Sequence, residues 1–237
     1  MAIGLIFTSF FNALGQIDDP RFRKVLWLGI VLGFALLVAF YAAFLWFLQW
    51  VIGPEATLPL IGEVTWLNDL VGWGSLLLML ILSVFLMVPV ASAITSMFLD
   101  TVADAVEDRH YPQLPKSPPV PMAVAIKDSI NFLGVLIVAN ALALIVYALF
   151  APFALFIFWG LNGFLLGREY FTLAAIRRVG RDGAKRLRRK HMLTIWAAGI
   201  LMALPLSIPL MSLAIPILGA ATFTHIFHGL SGKGTQG

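Results

Sequence analysis

Four uncharged apolar stretches, residues 25–52, 70–99, 129–167 and 192–224, decide what this chain can fold into. Each is longer than the roughly 20 residues needed to cross the hydrocarbon core of a bilayer. A soluble fold would need polar residues to cover its surface. Only 12% of the residues here are charged, against about 25% in soluble domains. Transmembrane barrel strands alternate over about ten residues and do not run apolar for thirty. The pattern therefore predicts an all-α integral membrane protein. It excludes a soluble enzyme, a disordered chain and a nucleic-acid-binding domain. The chain has no cysteine, which removes disulfides, thiolate nucleophiles and zinc–cysteine sites.

Punctuation within the stretches divides a single membrane domain, 1–237, into five parts. Residues 1–19 carry Ile3, Phe7, Phe10, Phe11 and Leu14 at helical spacing. This predicts an amphipathic helix too short to span, lying in the membrane interface. The start lacks the basic region and cleavage site of a signal peptide. Asp19 suits an N-cap and Pro20 a first helical position, so a spanning helix is expected over 20–52. Its apolar part, 28 residues from Val25 to Ile52, is about 42 Å long. A second span is expected over 70–99, kinked at Pro89. The Pro-rich connection at 112–121 reads as a stiff linker.

The remaining stretches are better read as hairpins. A single helix over 129–167 would be about 58 Å long, and Ala151-Pro152 offers a turn near its middle. The segment 192–227 is broken by Pro205, Pro209 and Pro216, and its halves are marginally short for a crossing. The expected architecture is two long transmembrane helices, two shorter and hemi-penetrating helical hairpins, and the N-terminal amphipathic helix. It places all 16 Lys and Arg on one side, because the loop 53–69 has none. By the positive-inside rule that side is cytoplasmic. The nine basic residues of 168–190 read as a topology anchor and headgroup-facing surface.

The chemistry on offer is sparse. The four stretches carry no Asp, Glu, Lys or Arg, which argues against a proton-coupled pump. Their polar groups are neutral, and Asn140, Asn131 and Ser83 are candidates to line a polar path. His225 and His228, at i and i+3, read as interfacial, with no metal site and no cofactor expected. No nucleophile–base arrangement appears, so no enzyme and no catalytic residue is expected. Arg21, Arg23 and Lys24 stand apart. They lie in the first turns of the 20–52 helix, where free N–H groups and the helix dipole favour an anion. Asp18 and Asp19 stand beside them and compete for their charge.

Three stretches together resemble the CysZ sulfate permeases and the wider etoposide-induced membrane protein family. They are DDPRFRKVLWLGI, then LNGFLLGREYFTLAAIRR followed by KRLRRKHM, then LPLSIPLMSLAIPILGAAT. The resemblance implies a multi-pass protein of the bacterial inner membrane that forms homo-oligomers and takes up sulfate for cysteine biosynthesis. Its partners would be the sulfate ion and the lipid bilayer. It also implies that sulfate binds at a basic pair after a hydrophobe at the start of the first long helix. Here these are Arg23 and Lys24, after Phe22, with Arg21 adjoining. Lys24 stands where the family pair has a second arginine, and an ammonium lacks the planar fork of a guanidinium. A rival reading is a non-transporting scaffold of the same family; another is an intramembrane enzyme acting on lipid.

Overall fold

The computed structural model describes residues 2–52, 57–58, 62–63, 98–118, 120–208, 211 and 213–232. Most of the expected second span, 70–99, lies outside the described residues, and Ser83 with it. The chain divides into two compact units, one of residues 1–26 and 96–237 and the other of residues 27–95. Among the described residues, every element longer than two residues is helical. The segments Pro20–Phe44, Ile130–Leu149 and Ala151–Lys190 are long and apolar enough to cross a membrane. The protein is an all-α membrane protein.

In the first unit, α1 (Ala2–Leu14) is followed by the opening turns of α2 (Pro20–Ile52). Pro20 is the first helical residue because Asp19 caps it. The Arg21 N–H donates to Asp19 Oδ1 at 2.9 Å, and the Arg23 N–H to the Asp19 carbonyl at 3.1 Å. In α1, Ile6, Ser9 and Ala13 are buried, whereas Ile3, Phe7, Phe11 and Leu14 are exposed. The apolar stripe legible in the sequence is thus mostly the outward face.

α3 (Leu99–His110), α4 (Met122–Leu149), α5 (Ala154–Lys190), α6 (Met192–Ala203) and α7 (Ile215–Leu230) complete the unit. A short 3₁₀ turn, Ala151–Phe153, joins α4 to α5 at the expected Ala-Pro. Past the expected hairpin end at 167, α5 runs on through the basic segment. Lys and Arg are good helix formers, so the backbone does not stop where apolarity stops. What interrupts it is Gly180, at φ 67° and ψ 179°, a conformation that penalises any side chain. The 192–227 segment becomes α6, a 3₁₀ turn over Leu204–Ser207 and α7, which ends at Leu230.

α5 and α6 fold back on each other at backbone contact. A Cβ on Gly167 would lie 2.6 Å from the Ile195 carbonyl oxygen, and one on Gly199 would overlap the Gly163 carbonyl. Small residues permit this approach between apolar helices. α7 is enclosed, with every residue from Ile215 to His228 buried. Phe223 packs on Tyr170 and Phe227 on Phe171, with ring centroids 6.2 and 6.3 Å apart. Phe22, 1% exposed, joins this core.

The second unit holds the rest of α2 and a two-residue antiparallel ladder, β1 (Thr57–Leu58) with β2 (Gly62–Glu63). Its part of α2 exposes Trp27, Phe34, Phe40, Trp46 and Trp50, as a lipid-facing helix does.

Candidate functional site

The residues expected to hold sulfate separate by role. Phe22 is a core residue. Arg21 is half-exposed and paired: its guanidinium meets Asp108 at 2.7 Å and Asp19 at 3.6 Å. Arg23 and Lys24 are exposed and have no acidic partner among the described residues. The expectation of free N–H groups is corrected at Arg21 and Arg23, whose N–H groups are taken by the Asp19 side chain and the Asp19 carbonyl.

Asp19 is occupied on both oxygens, since the Gln16 amide donates to Oδ2 at 2.9 Å. The same Gln16 amide donates to the Ala105 carbonyl at 3.0 Å and ties the start of α2 to α3. Burial of the Asp19 carboxyl opposes ionisation. The bonds from Gln16 and the Arg21 N–H, with the Arg21 charge, outweigh it and hold the group below its ordinary value. An ionised, internally satisfied Asp19 contributes a cap and does not draw on the Arg23–Lys24 pair.

The candidate path residues are less enclosed. Asn131 and Asn140 lie on exposed faces of α4. The Asn140 amide donates to the Leu136 carbonyl of its own helix at 2.8 Å.

A second constellation was not foreseen. Glu107, on α3, accepts from Arg178 Nε at 2.9 Å and Nη2 at 2.6 Å, and from His228 Nε2 at 3.0 Å. Arg177, 7% exposed, bonds Asp104 and lies 3.9 Å from Glu107. Burial alone would raise the Glu107 pKa. The hydrogen bonds from His228 and Arg178 and the two guanidinium charges bring it down to about 2. Tyr111, next to α3, meets His225 Nδ1 at 3.0 Å. Burial, and then the Glu107 charge, push its phenol up to about 12.

This overturns two expectations. Arg177 and Arg178 are not part of an outward basic surface, because Asp104 and Glu107 draw them inward. His225 and His228 are not interfacial; they are 3% and 0% exposed. The acids of α3 at i, i+4, i+7 and i+8 (Asp100, Asp104, Glu107, Asp108) were the available signal. A one-sided acidic face on a membrane protein needs cations opposite, but sequence spacing does not say which.

The cluster borders a cleft of about 420 Å³. Arg21, Glu107, Asp108 and Arg178 line it together with Pro115, Lys116 and Ser117 of the Pro-rich connection. That connection is docked. Arg178 Nη1 donates to the Pro115 carbonyl at 2.6 Å and Ser117 Oγ to the Arg177 carbonyl at 2.9 Å.

Residues 9–216 match the family described as Sulfate transporter CysZ/Etoposide-induced protein 2.4. The match spans most of the chain, which belongs to this family. No curated protein and no solved structure matches it.

Proposed function

We propose that this member of the sulfate transporter CysZ/etoposide-induced family lets sulfate cross the bacterial inner membrane, as a channel-like permease and not a pump. Sulfate taken up in this way would feed assimilation into cysteine. The observation that carries the reading is the pair Arg23–Lys24. Both side chains are exposed, both lack an acidic partner among the described residues, and both follow directly on the capped start of a long apolar helix.

Sulfate is a dianion that near neutral pH has no proton to donate, so a site of donors suits it. Arg23 and Lys24 supply donors only. Of the two acids that could serve a protonated anion such as phosphate as acceptors, Asp19 is engaged with Arg21 and Gln16, whereas Asp18 is exposed and has no partner among the described residues. Charge-assisted hydrogen bonds are each worth about 1.5–3 kcal/mol net. Two of them give binding weak enough for release and throughput.

The uncharged sequence stretches hold no carboxylate to carry a coupling ion, although the span Ala151–Lys190 runs on past them through Glu169; in this reading flux follows the electrochemical gradient of sulfate. An inside-negative potential opposes entry of two charges by roughly 4.6 kcal/mol per 100 mV. Net uptake then depends on rapid consumption of sulfate inside the cell. In this reading both termini and residues 100–128 and 168–190 face the cytoplasm, residues 53–69 face outward, and the protein works as a homo-oligomer.

Labelled-sulfate flux into vesicles containing only this protein tests the proposal. Downhill flux without a proton or sodium gradient is expected. Absence of flux from vesicles holding intact, correctly sized protein would reject transport and favour the scaffold. Uphill sulfate movement driven by a pH gradient, with the potential clamped, would reject the channel-like mechanism.

A further inference from the structure

The basic segment 168–190, uniform in sequence, is divided by the structure. Arg177 and Arg178 are spent on Asp104 and Glu107. Arg188 donates to Thr172 Oγ1 at 2.6 Å, and Arg168 and Arg181 are likewise engaged. The remaining four, Lys185, Arg186, Arg189 and Lys190, are all exposed and have no ion-pair or hydrogen-bond partner among the described residues.

These four fall at i, i+1, i+4 and i+5, which puts them on one face of the last turns of α5. Gly183 and Ala184 lie on the buried side. The turn is set off from the rest of α5 by the break at Gly180. A single acid, Asp182, shares the exposed face. Immediately afterwards the exposed surface becomes apolar: Met192, Leu193 and Trp196 on α6 are 52%, 72% and 38% exposed. The change from four unpaired cations to bare hydrocarbon takes two residues. That is the profile of a bilayer at the boundary between phosphate and acyl chain.

We infer that Lys185, Arg186, Arg189 and Lys190 form a binding stripe for anionic phospholipid headgroups, with Met192, Leu193 and Trp196 seated against the adjoining acyl chains. The occupant is a lipid because the apolar surface beside the cations must be covered, and a free anion leaves it wet. The lipid is anionic because a face with four cations against the single acid Asp182 gains little from a zwitterionic headgroup. The inference stands apart from sulfate transport, and its test does not read transport.

The test uses the full chain in dodecyl maltoside micelles. Fluorescent phosphatidylglycerol is titrated against the same label on phosphatidylcholine. The wild type is expected to prefer phosphatidylglycerol about tenfold, and K185Q/R186Q/R189Q/K190Q to lose most of that preference. Exchanging the two arginines for lysine (R186K/R189K) keeps the charge and should keep the preference. An undiminished preference in the quadruple variant, or none in the wild type, overturns the stripe. Full displacement of the labelled lipid by millimolar inorganic phosphate would mean a free-anion site and also overturns it. If the quadruple variant is not monodisperse, a salt titration of the wild type decides. Raising salt from about 0.05 to about 0.5 M should remove the preference, and a salt-insensitive preference contradicts the proposal.

Discussion

α4 and α7 are both apolar helices and both were legible as hairpin arms, yet they occupy opposite environments. α7 is buried along its whole length to His228. α4 turns Ile130, Leu133, Ile137, Leu142, Leu144 and Ile145 outward. In lipid, apolarity alone does not tell a helix where to go, because acyl chains solvate Leu as well as a protein core does. What separates the two is what α7 brings besides hydrocarbon. Gly219 admits Tyr170 and Gly229 admits Leu5 at contact distance, and His228 reaches a buried carboxylate. The enclosed region is thus specified by close approach and ion pairing, and the exposed region by length and hydrophobicity.

The contrast breaks most completely if its electrostatic anchor is removed. In E107Q the guanidiniums of Arg177 and Arg178 lose the carboxylate they share. Removing one partner of a buried pair costs about 3–5 kcal/mol. A large drop in the melting temperature of the purified protein is expected, and a melt within error of wild type would show that the cluster anchors nothing. The wild type should also be sensitive to acid. With its pKa near 2 against an ordinary 4.5, Glu107 stabilises the fold fully above pH 4.5 and loses that contribution as pH falls toward 2. The amount is on the order of 3 kcal/mol, and E107Q should lack this component of the acid response.

Core truncation sharpens the comparison. Phe227→Ala, in the enclosed helix, should cost about 3–5 kcal/mol. Leu144→Ala, 69% exposed on α4, should stay within about 0.5 kcal/mol. Similar losses for the two would erase the distinction. Glycine replacement gives a smaller effect that changes sign. Gly199→Ala drives a Cβ into the Gly163 backbone and should cost about 1–3 kcal/mol. Gly134→Ala on α4 meets nothing within 4 Å, and should gain about 0.5–1 kcal/mol from helix propensity. Thermal melts of the two variants, run side by side, must move in opposite directions.

The same contrast explains what was legible. Local signals mark two boundaries: Asp19-Pro20 starts α2, and Ala151-Pro152 turns α4 into α5. Both depend on a few neighbouring residues. The continuation of α5 beyond 167 is not legible in hydropathy, which marks where lipid ends, not where a helix ends. The Glu107–Arg178–His228 cluster joins residues 71 and 121 positions apart. Its cations sit in a run of nine basic residues that look alike in sequence. At the candidate anion site, the basic residues were visible in sequence, but their separation was not. Only the fold shows that Arg21 turns toward Asp108 while Arg23 and Lys24 stay outside.

That separation is what the functional reading rests on, and calorimetric titration of sulfate into purified R23A/K24A tests it most directly. Two lost charge-assisted hydrogen bonds, at about 1.5–3 kcal/mol each, should weaken sulfate affinity by at least about a hundredfold. Expression and oligomer size should be unchanged, and Lys24→Arg should bind at least as tightly as wild type. Unchanged affinity in a folded, correctly sized R23A/K24A protein would contradict the account.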